Sequence, residues 1–104
     1  MQVERSLALE LERREVAVGT PLAVRVRDVG GRPIEGAVVE AGSGAKRKRT
    51  DAHGRCEFTF HAPGYWKLIA RKAGTDRVAY DPATALVRAV PTSTVTRGPR
   101  IASR

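Results

Sequence analysis

Apolar residues recur at every second position along this chain, and that spacing restricts it to strands. Leu7, Leu9 and Leu11 alternate with Ala8, Glu10 and Glu12. Leu22, Val24 and Val26 alternate with Ala23, Arg25 and Arg27, and Cys56, Phe58 and Phe60 with Glu57 and Thr59. Trp66, Leu68 and Ala70 follow the same rule, with Lys67 and Arg71 turned outward. A period of two puts one set of side chains on the buried face of a pleated strand and the other on the solvated face. Leu and Glu are good helix formers, yet no apolar stripe at i, i+3, i+4 accompanies Leu7–Glu12, so no segment demands a helix.

The alternating runs are separated by segments that stop strands. Gly19-Thr20-Pro21, Asp28–Pro33, Asp51–Gly54 and His61–Gly64 all combine Gly with Pro, Asp or His. Glycine supplies positive φ, and proline cannot donate to a ladder. Shorter apolar runs at Val16–Val18, Ala37–Ala41, Val78–Tyr80 and Ala85–Val90 complete the pattern, the last two interrupted at Asp81-Pro82. About seven strands with turns every 8–12 residues or so describe an antiparallel β-sandwich. A length of 104 residues allows one such domain. Aromatic residues make up only 5%, so the core has to come from Val, Leu, Ile and Ala. Trp66 is expected at its centre, surrounded by Leu9, Leu22, Val24, Phe58 and Leu68.

Three segments add a family resemblance. They are Asp28-Val29-Gly30-Gly31-Arg32-Pro33-Ile34-Glu35-Gly36-Ala37-Val38-Val39, Thr50-Asp51-Ala52-His53-Gly54-Arg55-Cys56-Glu57-Phe58 and Pro63-Gly64-Tyr65-Trp66-Lys67-Leu68-Ile69-Ala70. In order and spacing they resemble the carboxypeptidase regulatory-like domains and the neighbouring bacterial and archaeal immunoglobulin-like families, over about residues 7–90. The resemblance implies an immunoglobulin-like sandwich that acts as a non-catalytic module for stability, spacing or binding. It names no ligand. The motif residues have structural reasons: Gly31 and Gly54 suit positive φ, and Asp51 can accept bonds from amides two residues on.

Little in the chain suggests chemistry. Cys56 is the single cysteine, so no intrachain disulfide can form, and a buried small hydrophobe is its expected role. His53, His61, Cys56 and Asp51 are close in sequence but lack the paired spacing that zinc requires. The acidic residues are too scattered for calcium. No serine lies in a nucleophile elbow, and no Gly-rich loop leads into a helix. The expectation is no enzyme, no metal and no cofactor. No run approaches the roughly 20 apolar residues of a membrane span. The polar start Met1–Arg5 shows no signal peptide, so the chain, if complete, is expected in the cytoplasm.

Charge is the feature the fold does not explain. The formal net charge is +8. Lys46-Arg47-Lys48-Arg49 is expected in a flexible loop opened by Gly42-Ser43-Gly44, and Arg71, Lys72 and Arg77 in a second basic loop. Residues 92–104, with Arg97, Arg100 and Arg104, have no apolar period and read as a basic flexible tail beyond a domain at 1–91. Solvated loops would account for such runs. A basic domain with a basic arm is also what phosphate-backbone binders present. The sequence therefore describes an interaction module for another protein or an acidic surface. The alternative is an RNA-binding or ribonucleoprotein accessory component, such as a ribosome-associated one, that contacts phosphates through 46–49 and the tail. No recognition helix or RNA-stacking motif argues for base-specific reading.

Overall fold

A computed structural model describes residues 3–42, 44 and 46–91. The described residues form strands and turns only. They are β1 (Val3–Leu11), β2 (Glu15–Ala17), β3 (Leu22–Asp28), β4 (Val38–Ala41), β5 (Lys46–Arg49), β6 (Arg55–Phe58), β7 (Gly64–Arg71), β8 (Val78–Asp81) and β9 (Ala83–Val90). One sheet has the order β6-β3-β1-β8 and the other β2-β9-β7-β4-β5. The two pack face to face as a β-sandwich. Among the described residues no helix is long and apolar enough to cross a membrane.

The nine strands of the described residues exceed the expected seven because Lys46–Arg49 forms a strand of its own and the closing apolar region is divided at Pro82 into β8 and β9. The chain passes twice from one sheet to the other without reversing, at Glu12–Arg14 between β1 and β2 and at Pro82 between β8 and β9. Each passage splits one bent strand into two. The passages also lie side by side, with β1 parallel to β8 and β2 parallel to β9. Both sheets are therefore mixed, not wholly antiparallel.

The alternation places most of the core as expected, with Leu9 only partly buried against it. Leu22, Val24 and Val26 of β3 face Leu68 and Ala70 of β7 and Val87 of β9, all 1% exposed or less. Phe58 and Phe60 fill the space between the sheets, with ring centroids 6.2 Å apart. Trp66 does not hold the centre. It points inward but is only half-buried, 4.9 Å from Phe60 by ring centroid. Its indole N–H must keep a polar partner. The Ala62 carbonyl in the adjoining turn accepts that bond at 3.1 Å, which holds the ring at the rim. Phe60, with no such requirement, takes the interior.

The run Lys46–Arg49 is strand β5, not a loop. Its backbone pairs antiparallel with β4, Val39 opposite Lys48 and Glu40 opposite Arg47. Ladder bonds need no apolar side chain, and β5 lies at the edge of its sheet. Charged residues on an edge strand discourage pairing with other chains, so the fold itself has a use for this run.

Two turns are built alike. Asp28 Oδ1 accepts the N–H groups of Gly30 at 2.8 Å and Arg32 at 3.0 Å, and Asp51 Oδ1 those of His53 at 2.8 Å and Arg55 at 2.9 Å. In each, the fourth residue is a glycine with positive φ, +86° at Gly31 and +74° at Gly54. Gly54 has a further constraint. A Cβ there would lie 2.5 Å from the Val26 carbonyl oxygen, and the Gly54 carbonyl accepts the Val26 N–H at 2.7 Å. Next to this turn, buried Thr50 accepts the Ala37 N–H at 2.9 Å and donates to the Ile34 carbonyl at 2.6 Å.

Gly54→Ala should therefore cost roughly 3 kcal/mol or more, from left-handed strain plus a backbone clash. Gly19→Ala, at φ +89° with nothing within 4 Å of the new Cβ, should cost only about 1 kcal/mol. Urea denaturation of the two variants measures the difference, and equal losses would contradict the packing role of Gly54. The Asp51 carboxyl is held below its ordinary value of 3.8 by the Arg55 and His53 amides. Its contribution to stability is then complete above about pH 4 and lost as pH falls through the lowered value. An acid titration of Asp51→Asn against the parent should show the variant losing less stability over that range.

Candidate polyanion interface

Strand alternation sends the basic residues to several destinations. Val39 and Ala41 face the core, so their β5 partners Lys48 and Lys46 lie on the inner side of that sheet, and Arg47 and Arg49 on its outer face. Lys46, Arg47 and Lys48 border a cleft of about 390 Å³ beside Glu57, Phe58, Thr59 and His61. The cleft lies where β5 and β6 approach each other across the open side of the sandwich. Three of the four cations expected to act together from one loop thus border one cleft, while Arg49 lies on the outer face.

The second expected group is also divided. Arg71 closes β7 on the outer face, opposite Val38, whose other neighbour is Arg49. Arg49 and Arg71 therefore flank Val38, roughly 10 Å apart at a strand spacing of about 5 Å. Lys72 lies beyond the strand, and its Nζ is 3.4 Å from where a Gly36 Cβ would stand. Arg77 lies in the loop that crosses to the other sheet, where its carbonyl accepts the Val3 N–H at 2.7 Å. The ends of β5 and β7 and this loop do share one end of the sandwich. Arg97, Arg100 and Arg104 lie outside the described residues.

Register on the outer face of the five-stranded sheet brings together residues that sequence reasoning did not group. Tyr65 is opposite Arg88, Lys67 opposite Leu86, and Ile69 is flanked by Thr84 and Glu40. The face thus carries Arg47, Arg49, Lys67, Arg71 and Arg88 against Glu15 and Glu40. Arg47 is bound to Glu40 at 2.6 Å and Arg88 to Glu15 at 3.3 Å. Among the described residues no carboxylate pairs with Arg49, Lys67 or Arg71. The outer face of the other sheet differs. There Arg25, Arg27 and Arg55 are interspersed with Glu4, Glu10, Glu57 and Asp81, and Arg27 is bound to Glu10 at 3.2 Å.

Chemistry beyond charge is sparse. Among the described residues no group of three or more His, Cys, Asp or Glu side chains is placed to hold a metal ion. Cys56 is half-buried on edge strand β6, packed against the core. Burial pushes its thiol up from 9.0 to about 11, opposed by the nearby Lys48 charge. The group is then protonated at neutral pH, which is unsuited to a nucleophile.

A shift of that size lowers the thiolate fraction on the order of a hundredfold. Native Cys56 should react with an aromatic disulfide reagent at pH 8 that much more slowly than the urea-unfolded chain does. Cys56→Val should fold and keep any binding activity. Rapid stoichiometric labelling of the native protein would show instead an accessible, activated thiol. No protein-family model and no curated protein matches this sequence, so the functional reading rests on these surfaces.

Proposed function

We propose that this chain is a non-catalytic β-sandwich interaction module that binds an acidic partner on the outer face of its five-stranded sheet. The observation that carries this reading is the charge difference between the two outer faces. One carries Arg47, Arg49, Lys67, Arg71 and Arg88 against Glu15 and Glu40, and the other carries Arg25, Arg27 and Arg55 against Glu4, Glu10, Glu57 and Asp81. A solvated face with no partner has no need of such an excess, which raises the local anion potential. The β5 edge extends the same positive field to the side of the sandwich.

The immunoglobulin-like, carboxypeptidase-regulatory assignment belongs to this proposal. It is supported by the paired Asp–Gly turns at Asp28–Arg32 and Asp51–Arg55, which fall within the motif segments. An acidic protein surface is a second reading. Tyr65 and Leu86 favour it, since exposed aromatic and apolar residues beside arginine are common at protein interfaces.

Heparin affinity chromatography tests the face assignment. Lys67→Glu with Arg71→Glu, and Arg25→Glu with Arg55→Glu, change the net charge equally but on opposite faces. The first pair should elute at clearly lower salt, and its salt slope should fall by about 0.7–0.9 for each anionic group no longer neutralised. The second pair should shift elution much less. Equal shifts would mean that retention follows net charge alone, and the proposed face would be withdrawn.

A further inference from the structure

Two side chains on the basic face are not explained by charge. Tyr65 is 69% exposed and Leu86 55% exposed, at positions where a solvated sheet face ordinarily carries polar residues. The β7–β9 register sets them at opposite corners of a square, Tyr65 across from Arg88 and Lys67 across from Leu86. Neighbouring strands are about 4.8 Å apart, and same-face residues along one strand roughly 6.8 Å apart. Apolar surface and cations thus alternate over a few ångströms, and Arg71 and Arg49 extend the cations along the sheet.

A ligand that fits this checkerboard repeats a flat apolar ring and an anion at similar spacing. Single-stranded nucleic acid does so, because an unpaired base offers a π-face to an aromatic side chain while its phosphates meet cations. A duplex hides its base faces, and this flat sheet offers no projecting helix or ribbon to enter a groove. An acidic polypeptide supplies anions but no regular array of rings.

We infer that the Tyr65–Leu86–Lys67–Arg88 square is a binding site for single-stranded nucleic acid, with a base stacked on Tyr65 and phosphates at Lys67 and Arg88. This rests on the polyanion reading above and names its ligand. The Arg88–Glu15 bond does not block the site, since both side chains are 57% exposed and such surface pairs are worth little.

Fluorescence anisotropy with the full chain tests it, using a labelled oligouridylate of roughly a dozen nucleotides, the same oligomer in a duplex, and polyglutamate as competitor. Tyr65→Ala should weaken single-strand binding about tenfold or more, while Tyr65→Phe retains it. Both variants should keep the parent melting temperature and heparin elution salt. The duplex should bind more weakly than the single strand, and polyglutamate at equal charge should compete poorly. Unchanged affinity of Tyr65→Ala, equal affinity for duplex and single strand, or ready displacement by polyglutamate would each overturn the nucleic-acid site while leaving the face-specific heparin result intact. Loss of that heparin result would instead remove the underlying polyanion reading.

Discussion

The close approach of Gly54 to the backbone of Val26 fixes how the two sheets are joined. β5 belongs to one sheet and β6 to the other, so the chain between them has to turn a corner while staying against β3. The Asp51 carboxylate closes that corner by accepting two amides, and the Gly54 carbonyl ties it to the Val26 N–H. Val26 in turn accepts the Ile34 N–H with its own carbonyl, and Ile34 is bound by Thr50. A side chain at position 54 would push this assembly apart, and with it the alignment of β6 on β3 that buries Phe58. A small domain has only about 5–15 kcal/mol of stability in total, so a single approach of this kind matters.

Much of the framework is legible in the sequence because period-two alternation and turn chemistry are local. Leu22, Val24, Phe58 and Leu68 are buried as their spacing implies, and Gly31 and Gly54 do adopt positive φ. Strand pairing decides what the sequence leaves open. Lys46–Arg49 has no apolar residue to mark a strand, and only its register with β4 makes it one. Alternation correctly directs Trp66 inward, but its depth depends on the Ala62 carbonyl, a partner set by the turn. The parallel pairs β1–β8 and β2–β9 join segments about seventy residues apart in the chain, and no short-range pattern encodes them.

The basic face is hidden in the sequence for the same reason. Lys67 and Arg88 are ordinary outward positions on two separate strands, and Tyr65 reads as a motif neighbour of the tryptophan. Antiparallel register makes Tyr65 and Arg88 neighbours and sets Lys67 beside Leu86. The signal present in the sequence is weaker: Tyr65 occupies an outward position in an alternating strand, where an aromatic residue has no core to fill. The conspicuous run Lys46–Arg49 alternates between two sides of an edge strand, with Lys46, Arg47 and Lys48 at the cleft beside β6 and Arg49 on the outer face.

The two passages between sheets have a mechanical consequence. Val3 lies at one end of the sandwich, beside the loop that holds Arg77, and Val90 lies at the other, opposite Ala17. Tension applied between these two residues pulls along the strand axes, drawing β1 and β9 in opposite directions. The parallel pair β2–β9 is then loaded in shear, so its hydrogen bonds share the load together instead of opening one after another as in a peeled hairpin. The same geometry loads the parallel pair β1–β8 in shear as well, so tension along this axis meets two sets of ladder bonds side by side.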